Sequence, residues 1–115
     1  MTISYSNFFA PTVLGTSAGT LATIPAQPTT TLLRGGRIRL TNTTGGAVTA
    51  TLYAVPAAGS PAAGNAFVSG KSVAANDFLD VDVPIMPAGS TIQGLAGAAA
   101  SITAHMISGS LFSLI

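Results

Sequence analysis

From Arg37 to Pro56 the chain reads RIRLTNTTGGAVTATLYAVP. Ile38 and Leu40 alternate with Arg37, Arg39 and Thr41. After a polar break, Val48, Ala50, Leu52 and Ala54 alternate with Thr49, Thr51 and Tyr53. A period of two is the mark of a half-buried strand, because successive side chains leave opposite faces of the pleat. The break is Asn42-Thr43-Thr44-Gly45-Gly46. Its paired glycines reach positive φ at little steric cost, which predicts a tight hairpin between the two strands.

The remaining segments repeat this grammar. Thr12 to Thr16, Thr20 to Ile24 and Thr29 to Leu33 are short strand candidates, rich in β-branched residues. Pro25 and Pro28 mark a loop, since proline cannot serve a central ladder. Gly35-Gly36 allows a bulge or sharp bend. Residues 56 to 65, PAAGSPAAGN, form a loop too long for a tight hairpin, which predicts a passage between sheets or a covered edge. Phe67 to Val73 is a strand. Ala74 to Asp77 is a turn. In Phe78 to Val83 the residues Leu79, Val81 and Val83 point inward, and Phe78, Asp80 and Asp82 outward. Thr91 to Leu95 and Ser101 to Ser108 read as a last pair, joined by an Ala-rich stretch that admits a helical turn. The sum is an all-β chain of about eight short strands, an antiparallel β-sandwich of jelly-roll or immunoglobulin-like type. Residues 1–11 are read as an irregular N-terminal arm and 12–115 as one domain.

Composition changes the picture in one respect. Of 115 residues only 6% are charged, against about 25% in an ordinary soluble domain. Arg34, Arg37, Arg39 and Lys71 face Asp77, Asp80 and Asp82. So neutral a surface does little to hold copies apart, which suits a protein covered by neighbours in an assembly. The net charge of +1 argues against nucleic acid as the main partner. There is no cysteine, hence no disulfide framework and no thiolate metal site. The N-terminus lacks the basic and apolar runs of a signal peptide. No apolar run approaches the roughly 18 to 20 residues of a membrane helix.

Candidate chemistry is thin. Ser69-Gly70-Lys71-Ser72 ends like a phosphate-binding loop, but the required earlier glycine is Asn65 and the lysine lies in a strand. Asp80 and Asp82 share a strand face, with Asp77 near, yet the chain holds no other carboxylate side chain to complete a cation site. Arg37 and Arg39 also share a face. They are expected to pair with Asp80 and Asp82, within the chain or across a subunit boundary. His105 is the sole histidine and is a weak base or ligand without partners. Asn42-Thr43-Thr44 matches a glycosylation acceptor but reads as a turn. No catalytic, cofactor, metal or small-molecule site is expected. The residues expected to bind a partner are Tyr5, Phe8 and Phe9 in the arm, Arg37 and Arg39, and Phe112 and Ile115 at the end, because aromatic and arginine anchors carry most interface energy.

Three stretches, RIRLTNTTGGAVTATLYAVPAAGSPAAGNAFVSG, VAANDFLDVDVPIMPAGSTIQGLAG and SITAHMISG, together resemble the small all-β virion proteins of tailed bacteriophages. The resemblance covers roughly residues 20 to 109. It implies a virion protein made in a bacterial host. The expectation is a capsid decoration (cement) protein on the outside of the head, a homotrimer bridging major capsid protein subunits. The alternatives are a tail or neck protein, or a carbohydrate-binding module on a tail fibre. The module would need exposed aromatics in a row, for which Tyr53 and Phe78 are available.

Overall fold

In a computed structural model, residues 2–4, 11–27 and 29–113 are described. Two antiparallel sheets pack as a sandwich. The first is built on two long strands, β4 (Leu32–Asn42) and β10 (Ile102–Ser113), which pair with each other. β1 (Thr2–Ser4) and β2 (Thr12–Val13) lie on the far side of β10. β7 (Phe78–Asp82) and β8 (Met86–Pro87) lie on the far side of β4. The second sheet runs β3 (Gly19–Thr23), β9 (Thr91–Ala96), β5 (Val48–Val55), β6 (Ala66–Val73). The predicted sandwich is therefore present, with ten strands among the described residues rather than about eight. Residues 2–4, expected to be irregular, are paired with the end of β10, Thr2 opposite Ser113.

The alternation read from the sequence assigns the faces correctly. Ile38 and Leu40 of β4 and Ile102 and Ala104 of β10 point into the sandwich, where they are fully buried. They meet Ala50 and Leu52 of β5 and Ile92 and Ala96 of β9 in one apolar core. Gly94 of β9 lets the layers close: a Cβ there would stand 2.7 Å from Leu52 Cδ2. In β4, Gly35 takes a φ of +64°, a conformation that favours glycine. Here a step of three positions along β4, from Arg34 to Arg37, matches a step of two along β10, from Ser110 to Ser108. That bulge was expected at the glycine pair. It shifts the alternation by one residue, so Leu33 and Ile38 both face the core and Arg34 and Arg37 both face out.

The predicted hairpin does not form. β4 belongs to the first sheet and β5 to the second, and they are not paired. Alternation specifies which face a residue takes but not which strand lies beside it. The join 43–47 instead spans the thickness of the sandwich, on the order of 10 Å between sheets. Nor do β9 and β10 pair, for the same reason: the Ala-rich join crosses from the second sheet to the first, without a helix. Conversely, the long loop 56–65 does not cross. It links β5 and β6, which are antiparallel neighbours, and a short 3-10 turn at Ala63–Asn65 closes it. The candidate Thr29–Leu33 is not a separate strand; its last two residues open β4.

What replaces the hairpin is a side chain. Asn42, 1% exposed, ends β4 at the top of the sandwich. Its Nδ2 donates to the carbonyls of Gly46 (2.8 Å), Val73 (3.1 Å) and Ala74 (3.3 Å). Its Oδ1 accepts from the Thr44 N–H at 3.0 Å and the Thr44 hydroxyl at 2.7 Å. Val73 ends β6 and Ala74 begins the β6–β7 join, which also crosses between sheets. Backbone bonds tighten the same knot, Asn42 N–H to Asp77 O at 2.8 Å and Asn76 N–H to Thr44 O at 3.0 Å. One buried amide thus ties two crossing corners together. Replacing it strands a buried carbonyl and an N–H, each costing about 1–3 kcal/mol. Asn42→Ala is expected to lower unfolding free energy by about 3 kcal/mol, measured by urea denaturation. A loss below about 1 kcal/mol would mean the corners are held by backbone bonds alone.

Candidate contact surface

The outer face of the first sheet carries most of the charged residues. Antiparallel register places Arg37 opposite Asp82 and Arg39 opposite Asp80. Directly opposed residues on one face are within reach of an ion pair. Arg39 is bidentate: Nε to Asp80 Oδ1 at 2.7 Å and Nη2 to Oδ2 at 3.0 Å. Arg37 makes a single bond from Nε to Asp82 Oδ1 at 3.1 Å. The difference follows exposure. The Asp80 side chain is 23% exposed and the Asp82 side chain 84%, so water competes far more at the second pair. The arginine–aspartate pairing expected from the sequence is thus present within the chain.

Two aromatic rings complete this face. The Arg39 guanidinium carbon lies 4.3 Å from the centre of the Phe78 ring. Phe78 itself is 52% exposed. Further down the sheet, past the Gly35 bulge, the Arg34 guanidinium lies 5.5 Å from the Phe112 ring. Each arginine therefore holds a ring by cation–π attraction. Of the residues expected to bind a partner, Arg37, Arg39 and Phe112 lie on the first sheet. Tyr5, Phe8, Phe9 and Ile115 lie outside the described residues. β1 pairs with β10 through Ser4 and Leu111. The chain therefore leaves β1 alongside the strand that carries Phe112.

Other candidates are dispersed. Tyr53 pairs with Gln93 in the second sheet, whereas Phe78 is in the first. The two exposed-face aromatics stand on opposite sides of the sandwich and form no row. Asp80 and Asp82 are engaged by arginines, and Asp77 Oδ1 accepts from the Phe78 N–H at 2.8 Å. Among the described residues no three His, Cys, Asp or Glu side chains gather as a metal site would need. Lys71 lies in β6, with Gly70 at a φ of +58° in mid-strand, not in a phosphate-binding loop before a helix. His105 stands opposite Arg39 on β10, and its Nδ1 is buried with no hydrogen-bond partner. Sequence reading missed one exposed apolar residue of note, Ile85, 67% exposed. Its signal was its place in Pro84-Ile85-Met86-Pro87, directly after a proline and just before the short strand β8.

No family model matches the chain, and no curated protein matches it. Solved structures do. The sandwich superposes on a chain of the structure of infectious bursal disease virus, Gx strain, with a TM-score of 0.54 and 16% identity, covering 96% of this chain and 31% of that one. It superposes on a chain of the crystal structure of the infectious bursal disease virus VP2 subviral particle with a TM-score of 0.52 and 17% identity, again covering 96% and 31%. Identity this low shows a shared fold. The chain spans under a third of the length of each of those chains.

The Arg39 hydrogen bonds hold the Asp80 carboxyl below the usual carboxylate range, against an opposing effect of partial burial; the positive charges of Arg39 and Arg37 add to the lowering. The same bonds raise the Arg39 guanidinium. A carboxyl whose folded value is depressed contributes stability above its unfolded value of about 3.9 and loses it as pH falls through the folded value. Wild-type melting temperature is therefore expected to fall on acidification below about pH 4, and Asp80→Asn to show a smaller fall. Thermal melts between pH 7 and pH 2 check this. Parallel profiles for the two proteins would remove the pair from the account.

Proposed function

We propose that this chain is a structural protein of a virus particle and that it works by binding, not by catalysis. The observation that carries the reading is the sandwich itself, shared over 96% of the chain with chains of viral particles. The surface chemistry supports it. Four of the seven charged side chains neutralise one another in two pairs on one sheet, and the exposed remainder is dominated by Thr, Ser, Ala and Gly. Such a surface loses little solvation when a neighbour covers it, because few ions are taken out of water.

Within that class the resemblance of residues 20 to 109 to tailed-phage virion proteins supports the narrower reading. The chain is a decoration protein on the outside of a phage head, present as a homotrimer and bridging adjacent major capsid subunits. Each copy adds buried area across a seam that packed DNA strains. The anchors are Tyr5, Phe8 and Phe9 before β2, with Phe112 and Ile115 at the other end of the chain. Arg37 and Arg39 add a neutralised, hydrogen-bonded face, each held by an aspartate. A few buried aromatic residues carry most of the energy in such contacts.

The test is a mixing assay with phage heads stripped of decoration. Wild-type chain is expected to bind and to raise the temperature at which heads release DNA. Replacing Phe8 and Phe9 together by serine is expected to weaken attachment by at least about tenfold, the loss typical of a hot-spot aromatic, with the thermal melt of the chain unchanged. Retention on isolated tails but not on heads would move the protein to the tail. Binding to neither would overturn the reading.

A further inference from the structure

β6 is the edge of the second sheet and β7 lies at the edge of the first. Between them runs a cleft of about 320 Å³, with Phe67 and Val68 on one wall and Leu79 and Val81 on the other. All four side chains pack on the core but are only partly buried. The edge of β7 is bare. Asn42 N–H donates to Asp77 O, and Val83 N–H to Gly36 O, both at 2.8 Å. These bonds set the phase of the ladder: residues 77, 79, 81 and 83 turn their backbone groups toward β4, and residues 78, 80 and 82 turn theirs away. The Phe78 N–H is met by Asp77 Oδ1. The N–H and C=O groups of Asp80 and Asp82 face outward from the sheet with no strand beside them. Lys71 lines the same cleft. It stands opposite Ala50, which is fully buried, so it leaves β6 on the core-facing side. Among the described residues its ammonium has no ion-pair or hydrogen-bond partner. Asp80 and Asp82 are taken by arginines on the outer face.

Each feature specifies part of an occupant. Bare N–H and C=O groups along a strand match a main chain in extended conformation. The half-covered walls match an apolar side chain. The unpaired ammonium matches a carboxylate on that same face. We infer that this edge takes up an extended segment of another protein, added to β7 as a further strand, with an apolar side chain in the cleft and a carboxylate against Lys71. An inward lysine on an edge strand turns away strands that bring only apolar side chains to the cleft. A second copy of β7 is such a strand, since Leu79 and Val81 hold its inward positions and Asp80 and Asp82 its outward ones. A strand that brings a negative charge inward is admitted, so the lysine selects among partners. The site goes beyond the virion reading and needs no particle to operate.

The test adds short peptides to the isolated chain and follows amide NMR shifts. The probe is acetyl-Thr-Val-Thr-Glu-Thr-Val-Thr-amide, which reads alike in either strand direction and carries its Glu and Val side chains on one face. At millimolar concentration it is expected to shift the amides of β7. It is expected to bind about fivefold more tightly than the same peptide with Lys in place of Glu, the worth of an exposed ion pair. Lys71→Glu is expected to reverse that order, and because Lys71 is exposed the fold is expected to survive the change. Proline at the two inner threonines removes N–H groups that would meet β7, and is expected to abolish binding. No binding of the glutamate peptide, equal affinity for the two charges, an order that survives Lys71→Glu, or retained binding of the proline peptide would each overturn the proposal. Octanoate bound as tightly as the peptide would also overturn it, since a greasy slot with one cation would then suffice. So would sedimentation of the chain alone as a dimer that Lys71→Glu dissociates, which would give the edge to a second copy. Attachment to heads or tails is read in a separate assay, so the strand site and the virion reading can fail independently.

Discussion

The fold hangs on the way a chain leaves one sheet and enters the other without abandoning its backbone hydrogen bonds. At each crossing the ladder stops, and the freed N–H and C=O groups need other partners. Asn42 solves this at one end of the sandwich for two crossings at once. Its amide is a donor and an acceptor at fixed separation, which lets it stand in for a missing stretch of ladder. An apolar residue of the same size would fill the space and take the amide's bonds from the buried Val73 carbonyl and the Thr44 N–H. The pairing of β4 with β7, and through it the arginine–aspartate ladder, depends on that corner, because Asn42 and Asp77 bring the two strands into register immediately above it.

The sequence made the faces legible and the neighbours illegible. The alternation of Ile38 and Leu40 with Arg37 and Arg39 specified inside and outside, and the structure agrees. So did Leu79, Val81 and Val83 against Asp80 and Asp82. The two sets then predicted each other, since opposite charges at the same period suit adjacent strands. Pairing by proximity in sequence failed at Asn42–Gly46 and at the Ala-rich join, because a five-residue link can close a hairpin or cross a sandwich and its glycines serve both. The discriminating residue was present, a buried asparagine, but its burial is a tertiary fact. Of the candidate surface, Arg37, Arg39 and their partners were readable from spacing alone. The cleft beside Lys71 was not, since its two walls belong to different sheets and meet only because the β6–β7 join crosses between them.

The scarcity of charge takes on a sharper meaning once the pairs are seen. The arginines are not spread to keep the molecule soluble. They are matched to aspartates or laid over rings on one sheet, where bidentate geometry and ring contact make them stiff. The other sheet presents Lys71 as its charged residue, at the strand edge. The two sheets thus differ: the first carries the paired charges and the ring contacts, the second Lys71 as its charged residue among the described residues.

The position of β10 has a consequence for how the molecule is made. The last strand among the described residues is not at a margin; it lies between β4 on one side and β1 and β2 on the other. During synthesis it is made well after β4, which ends at Asn42 whereas β10 begins at Ile102. Until then β4, with eleven residues, can pair with β7 and β8 on one side while its other side stays bare. Strand pairing so distant along the chain is slow, and an unmated strand invites the wrong company. The first sheet is therefore completed late, in a step that inserts β10 between strands made before it.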